Sequence, residues 1–248
     1  MTTTALITGA NKGIGYETAR ALAARGITVL VGARDPGRGA AAVAKLRAEG
    51  ADAAEVQLDV TDAASIATAA AHIDERFGAL DILVNNAGIA GSFGAPSQTD
   101  LAVLREVYET NVFGVVAVTN AMLPLLRRAP AARIVNVSSE VGSIAMMMDR
   151  DGPMWQAAAV PYPSAKTALT MVTAMYAKEL WDTPIKVNAA NPGYCATDFN
   201  AHSGFRTAEQ GAEVSVHLAT LPADGPTGQH WGYRWGATDG AEYGIVAW

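Results

Sequence analysis

The run Tyr162-Pro163-Ser164-Ala165-Lys166 sets a phenol four residues ahead of an ammonium. On a helix, residues four apart share a face, so the two groups stand side by side. A free phenol has a pKa of about 10 and exchanges its proton poorly at neutral pH. A fixed positive charge that stabilises phenolate brings it toward the working range, and a drop of roughly three units needs about 4 kcal/mol of differential interaction. A packed tyrosine beside an exposed lysine gives the same spacing, so the neighbours decide. Ser138 and Ser139 follow the apolar run Ile134-Val135-Asn136-Val137, which puts hydroxyls at the carboxyl end of a strand, where open α/β sheets bind ligands. Asn111 interrupts an apolar helix, a place where a side-chain amide competes with the backbone. It reads either as a buried amide tying helices together or as part of a site.

A second constellation lies near the start, in Thr8-Gly9-Ala10-Asn11-Lys12-Gly13-Ile14-Gly15. Apolar β-formers precede it and helix formers follow, which reads as strand, tight turn, helix. Gly9 can take dihedrals closed to other residues, and Gly13 and Gly15 lack the Cβ atoms that would hold a pyrophosphate off the backbone. The N–H groups of the new helix then face an anion. The spacing is Gly-x-x-x-Gly-x-Gly, distinct from both the general dinucleotide fingerprint and the phosphate loop of nucleotide hydrolases. Such sites choose their nicotinamide cofactor at the end of the second strand. Here it ends Gly32-Ala33-Arg34, a small residue where an acid would bind the ribose hydroxyl, then a guanidinium suited to a 2′-phosphate. Lys12 can approach the same phosphate, so NADPH/NADP is the expected cofactor. Asp35 is assigned to capping the helix that Pro36 opens. Asp59, in Leu58-Asp59-Val60, either accepts from an adenine amino group or closes a simple turn.

The elements that must position these groups are legible from hydrophobic patterning. Strands are expected near 5–7, 27–33, 54–58, 81–84, 133–137, 185–189 and 228–232, and helices at 16–25, 41–49, 63–77, 101–128, 164–181 and 207–218. Nearly continuous apolar strands alternating with helices specify a parallel sheet covered on both faces. Right-handed crossovers make it a Rossmann-type doubly wound α/β sheet of about seven strands. Because Pro161 and Pro163 flank the tyrosine, the helix is expected to begin at or just after Tyr162.

Half of the 248 residues are hydrophobic and no polar linker divides them, so one domain spanning 1–248 is the simplest organisation. A net charge of −6 without a basic stripe argues against nucleic acid as a partner. The start, Met1-Thr2-Thr3-Thr4, lacks a basic region followed by an apolar one, and no apolar run is expected to be long enough to span a bilayer. A cytoplasmic protein without a membrane partner is therefore expected. Cys195 stands alone, and His72, His202, His217 and His230 show no metal-ligand spacing, so no metal is expected.

From Thr4 to about Leu221 the chain resembles the short-chain dehydrogenase/reductase family, in its short single-domain form. The likeness rests on Thr8 to Gly15, Asn85-Asn86-Ala87-Gly88, the serine pair, Tyr162 to Lys166 and Asn191-Pro192-Gly193. Within the family it is most like the carbonyl reductases, through the glycine loop, Ala33-Arg34-Asp35 and the long opening before Tyr162. The resemblance implies a catalytic set of Asn111, Ser139, Tyr162 and Lys166. Asn111 would hold a water that relays protons to the lysine, and Ser139 would hold the carbonyl oxygen. Gly9, Asn11, Lys12, Gly13, Ile14, Gly15 and Arg34 would contact the cofactor from the first two strands, with Asp59 and Val60 at the adenine and Asn86 lining the channel. Tyr162, Lys166, Pro192, Gly193 and Thr197 would complete its site. The implied reaction is NADPH-dependent reduction of ketones, aldehydes or quinones, with Tyr162 as general acid. Alternatives are an alcohol dehydrogenase working oxidatively with NADP and a non-catalytic NADP(H) sensor.

The departures lie where substrate would bind. Ser139 and Tyr162 are 23 positions apart, and the segment at about 140–161 offers Met146 and Trp155 as a pliable apolar wall. Tyr194 joins them as a candidate substrate contact. The tail at about 229–248 carries Trp231, Trp235 and Trp248 as a lid, a core element or a subunit contact. Monomer and small homo-oligomer are both open.

Overall fold

β1 (Thr4–Thr8), β2 (Thr28–Ala33), β4 (Ile82–Asn85) and β5 (Arg133–Val137) are buried along their whole length, so they fit only the interior of a sheet covered on both sides. In the computed structural model, which describes residues 3–236 and 242–248, they lie in one eight-stranded sheet of order β3-β2-β1-β4-β5-β6-β7-β8. The remaining strands are β3 (Ala53–Gln57), β6 (Lys186–Asn191), β7 (His230–Tyr233) and β8 (Tyr243–Ile245). Every neighbouring pair is parallel except β7 with β8. The expected seven strands thus gain an antiparallel eighth, whose three residues carry too short a pattern to stand out in sequence. Strand order reverses between β1 and β4, the switch point at which such sheets open a crevice at their carboxyl edge.

One face is covered by α1 (Gly13–Ala23), α2 (Pro36–Ala48) and α8 (Ala208–Ala219), with Leu22, Leu46, Val214 and Leu218 in its core. The other face is covered by α3 (Ala63–Phe77), α5 (Gly114–Leu126) and α7 (Pro161–Glu179), through Ile66, Ile73, Met122 and Leu126. Each such side chain contributes about 1.5–3 kcal/mol when fully buried. α4 (Leu101–Tyr108) and the single turn α6 (Ile144–Met147) complete the helices.

Local chemistry sets the boundaries. Asp35, Asp62, Asp100 and Thr207 each accept a backbone N–H at the start of α2, α3, α4 and α8, and Gly78 ends α3 at φ 71°. The N-terminus of α1 has no such side-chain cap. α7 starts at Pro161, one residue before Tyr162, because proline's fixed φ suits the first helical position. The expected helix over 101–128 consists of α4, a π-helical turn (Glu109–Phe113) and α5. Contrary to the sequence reading, Leu101–Leu126 is long and apolar enough to cross a membrane. Just over half (56%) of its most apolar 18-residue window is nevertheless buried inside the fold, as in a core helix.

A line of polar side chains runs through this interior. Asn85 Nδ2 donates to Asn136 Oδ1 at 2.8 Å and to Thr119 at 3.1 Å, and Asn136 Nδ2 donates to Thr173 at 2.9 Å. These bonds fix α5 and α7 against β4 and β5, the strands that end at the crevice.

Candidate active site

The glycine loop between β1 and α1 is locked from β4. Thr8 Oγ1 accepts the backbone N–H groups of Asn86 and Ala87, both at 2.9 Å, and Asn86 Nδ2 donates to the carbonyls of Thr8 and Gly9. Gly9 and Gly13 have φ of 64° and 57°, which L side chains rarely adopt. The three glycines then serve different needs. A Cβ on Gly15 would lie 2.4 Å from Asn86 Nδ2 and 2.7 Å from Gly9 O, so this position is glycine for packing within the loop. A Cβ on Gly13 would meet nothing nearer than Thr197 at 3.6 Å, and the space in front of it lies at the uncapped start of α1. Backbone N–H groups aimed into room for an anion fit a dinucleotide pyrophosphate. Ile14 packs beneath, toward Gly211 of α8.

Beside the loop, a groove of about 540 Å³ is lined by Asn11, Lys12, Tyr16, Arg38, Lys45 and Asp198. Arg34 is exposed at the end of β2, while Ala33 before it is buried and leaves no acid there. Lys12 Nζ is 2.7 Å from Asp198 Oδ2, an exposed pair that holds the Asp198 carboxyl below its ordinary pKa. Arg38 and Lys45 went unnoticed in the sequence because their proximity to Lys12 needs the fold. Arg38 lies in the first turn of α2, three residues beyond its Asp35 cap, and lines the same groove as Asn11 and Lys12. Asp59 Oδ1 accepts from Thr61 N at 2.9 Å and Thr61 Oγ1 at 2.7 Å, so one of its oxygens closes a turn. Val60 is buried, and its carbonyl lies against Gly114 of α5.

Across the crevice, α7 brings Tyr162 and Lys166 to the carboxyl ends of β5 and β6. The Ser139 hydroxyl accepts the Val141 N–H at 3.4 Å and lies near enough to the Tyr162 phenol to favour its ionised form. Lys166 is buried, donates from Nζ to the Val137 carbonyl at 2.7 Å and lies 5.4 Å from the Tyr162 ring centroid. Here the electrostatics correct the sequence expectation. Burial holds the phenol above its ordinary pKa, opposed by Ser139 and reinforced by Glu140 and Cys195. Burial also pushes the Lys166 ammonium down to about 7, so the lysine is only partly charged at neutral pH and burial outweighs it at the tyrosine. Tyr162 as a whole is only partly buried.

Asn111 sits in the π-helical turn, fully buried. Its Oδ1 accepts from Ile89 N and its Nδ2 donates to Ile89 O, both at 2.9 Å, and no direct bond joins it to Lys166 among the described residues. The amide therefore pins the loop that follows Asn86-Ala87-Gly88. Thr197 is buried opposite Gly13, and its N–H donates to Asn200 Oδ1 at 3.2 Å. Pro192 is buried, and the Gly193 N–H donates to Asn191 Oδ1 at 3.3 Å.

The expected substrate contacts divide. Tyr194 bonds Ser203 at 2.5 Å and packs edge-on against Phe205, ring centroids 6.1 Å apart. Met146 is half-buried after the Ser143 turn, whereas Trp155 faces outward under Arg150, 5.4 Å from its guanidinium. Phe199, unremarked in the sequence, packs edge-on against Tyr162 at 5.2 Å. Of the tail, residues 237–241 lie outside the described residues. Trp231 stacks between His217 and Tyr243, Trp235 packs on Phe205 and Trp248 packs against His230, so all three tryptophans serve packing.

This crevice and sheet are those of a short-chain dehydrogenase. The model of that family matches residues 3–206, and the chain belongs to it. It is 35% identical to carbonyl reductase [NADPH] 3 of Mus musculus, with 91% of this chain and 94% of that protein covered. It is 32% identical to (+)-neomenthol dehydrogenase of Capsicum annuum, covering 90% and 93% respectively. Among solved structures, NADPH-bound carbonyl reductase from chicken fatty liver aligns with a TM-score of 0.84 at 29% identity, over 100% of this chain and 99% of the other.

Proposed function

We propose that the protein is an NADPH-dependent carbonyl reductase acting on ketones, aldehydes or quinones. The observation that carries this is the grouping of Tyr162, Lys166 and Ser139 at the carboxyl edge of the sheet, across from an uncapped helix N-terminus with open space at Gly13. Gly9, Asn11, Gly13, Ile14 and Gly15 hold the pyrophosphate of the cofactor, with Asn86 fixing the loop. Lys12, Arg34 and Arg38 take the 2′-phosphate, Asp59 and Val60 border the adenine, and Pro192, Gly193 and Thr197 border the nicotinamide. Lys166 adds a ribose contact. When bound, NADPH supplies the hydride that reduces the carbonyl carbon.

The protein's own residues deal with the oxygen. Ser139 and Tyr162 donate hydrogen bonds to it, and Tyr162 transfers its proton as the carbon–oxygen double bond becomes an alcohol. The same atoms could run in reverse with NADP and an alcohol. Reduction is the direction preferred here because carbonyl reductases stand among the similar proteins and structures. Asn111 holds the loop behind the site and, through it, a water that returns a proton by way of Lys166. Tyr162→Phe should lower turnover by roughly 10²- to 10⁴-fold while NADPH binding is kept. NADPH consumption against a carbonyl panel, with NADH in parallel, tests the assignment. A Phe variant as active as the parent refutes the proton donor, and tight NADPH binding without turnover of any carbonyl marks a sensor instead.

A further inference from the structure

Immediately after Ser139 the chain buries a carboxyl. Glu140 is 3% exposed, on a segment whose neighbours contact the reacting groups. Its partners all belong to the C-terminal third. Asn191, at the end of β6, donates from Nδ2 to Glu140 Oε2 at 3.4 Å and to the Tyr233 carbonyl at 2.6 Å. The same asparagine accepts the Glu140 N–H at 3.1 Å, and the Trp235 backbone N–H donates to the Glu140 carboxylate. Arg206 grips the hairpin from the other side, stacking 4.0 Å over Tyr233 and bonding Tyr243 at 2.6 Å and Glu242 at 3.0 Å.

Through Tyr233 and Trp235 the C-terminal hairpin packs on Phe205 of the 194–205 segment, and the same segment reaches Tyr162 through Phe199. Trp235 packs on Phe205 at 5.2 Å and Phe205 on Tyr194 at 6.1 Å, while Phe199 packs on Tyr162 itself. A buried carboxyl is costly unless its bonds are made, so loss of its partners loosens what they hold. Resting on the reductase reading above, we infer that Glu140 is a positioning residue. It fastens the aromatic C-terminal hairpin to the Ser139 turn, and so places a ring-lined wall where the substituent of a flat, ring-bearing carbonyl lies.

The test uses the full chain with Glu140→Ala and, should that variant fail to fold, Glu140→Gln, which keeps the volume but replaces one acceptor by a donor facing Asn191. Amide hydrogen exchange at 230–235 should quicken by about tenfold while β1 is unchanged, a readout that needs no substrate. In turnover, KM for 1-phenylpropane-1,2-dione should rise about tenfold and that for butane-2,3-dione by less than about twofold. Trp235→Ala should give the same split, and the double variant no more than either single one. Unchanged exchange in the hairpin, an equal rise in both KM values, or additive single effects would overturn the inference. If the parent reduces neither dione nor any other carbonyl, the reductase reading fails, and hydrogen exchange alone still decides the fastening.

Discussion

The two sides of the crevice are built from different materials. The nucleotide side, from β1 to β4, is backbone and absence: glycines, an uncapped helix start and an asparagine stitched to carbonyls. The side that faces substrate, from Ser139 onward, is side chain: a phenol, an ammonium, a carboxyl and a row of rings, all packed by the C-terminal third. Where a backbone site closes around its glycine, as at Gly15, it tolerates no added atom. Side-chain sites tolerate reshaping, yet each buried titratable group makes them answer to protons.

The largest effect that contrast predicts is at Gly15. Gly15→Ala puts a methyl 2.4 Å from Asn86 Nδ2 and 2.7 Å from Gly9 O, so the loop must shift. Thermal unfolding should show a loss of about 1–3 kcal/mol, and titration should show NADPH affinity reduced about 100-fold. A variant with native affinity would break the claim that the loop admits no extra atom at Gly15.

The next effect belongs to the other side. His230 is fully buried on β7, its ring 6.0 Å from Trp248, and burial pushes its pKa down to about 4. Between that value and the ordinary 6.5, the unfolded chain binds a proton that the folded chain refuses. Stability therefore falls as pH is lowered through this window, by up to roughly 3 kcal/mol. Lys166 pushes the same way at higher pH, stability rising from about 7 toward 10.5. Urea unfolding of His230→Gln should show the acid slope flattened while the alkaline slope persists. An unaltered acid slope would place the sensitivity elsewhere.

The smallest effect sharpens the boundary between the sides. Arg38→Ala should raise KM for NADPH about tenfold and leave that for NADH within about twofold, because a 2′-phosphate gains from a guanidinium that a hydroxyl does not need. Equal change with both cofactors would move the phosphate contact to Arg34.

The same contrast explains what could be read from sequence. Strand runs such as residues 133–137, the Asp35 cap and the Gly78 stop follow from local rules, and the structure keeps them. The glycine cluster marks its corner because glycine has few other reasons to recur there. What local rules missed is made of long-range neighbours. Arg38 and Lys45 share a groove with Lys12 only once the chain has folded, and Glu140 finds Asn191 across 51 positions and Trp235 across still more. The phenol's environment was misjudged for the same reason. Four-residue spacing brings Lys166 near Tyr162, but whether burial or charge governs the pair depends on the elements stacked over it.

The π-helical turn at Glu109–Phe113 has an implication for how the chain can be shortened. It carries one residue more than an α-helical turn needs, so the helix before it and the helix after it are out of phase by about 100°. Deleting a single residue there would leave both halves helical and restore ordinary pairing. The two faces would then demand incompatible rotations: either Asn111 swings away from Ile89 or Val118 and Met122 leave the sheet. This stretch is thus a phase adjuster, and a one-residue deletion, though it would improve the helix, would unseat the protein around it.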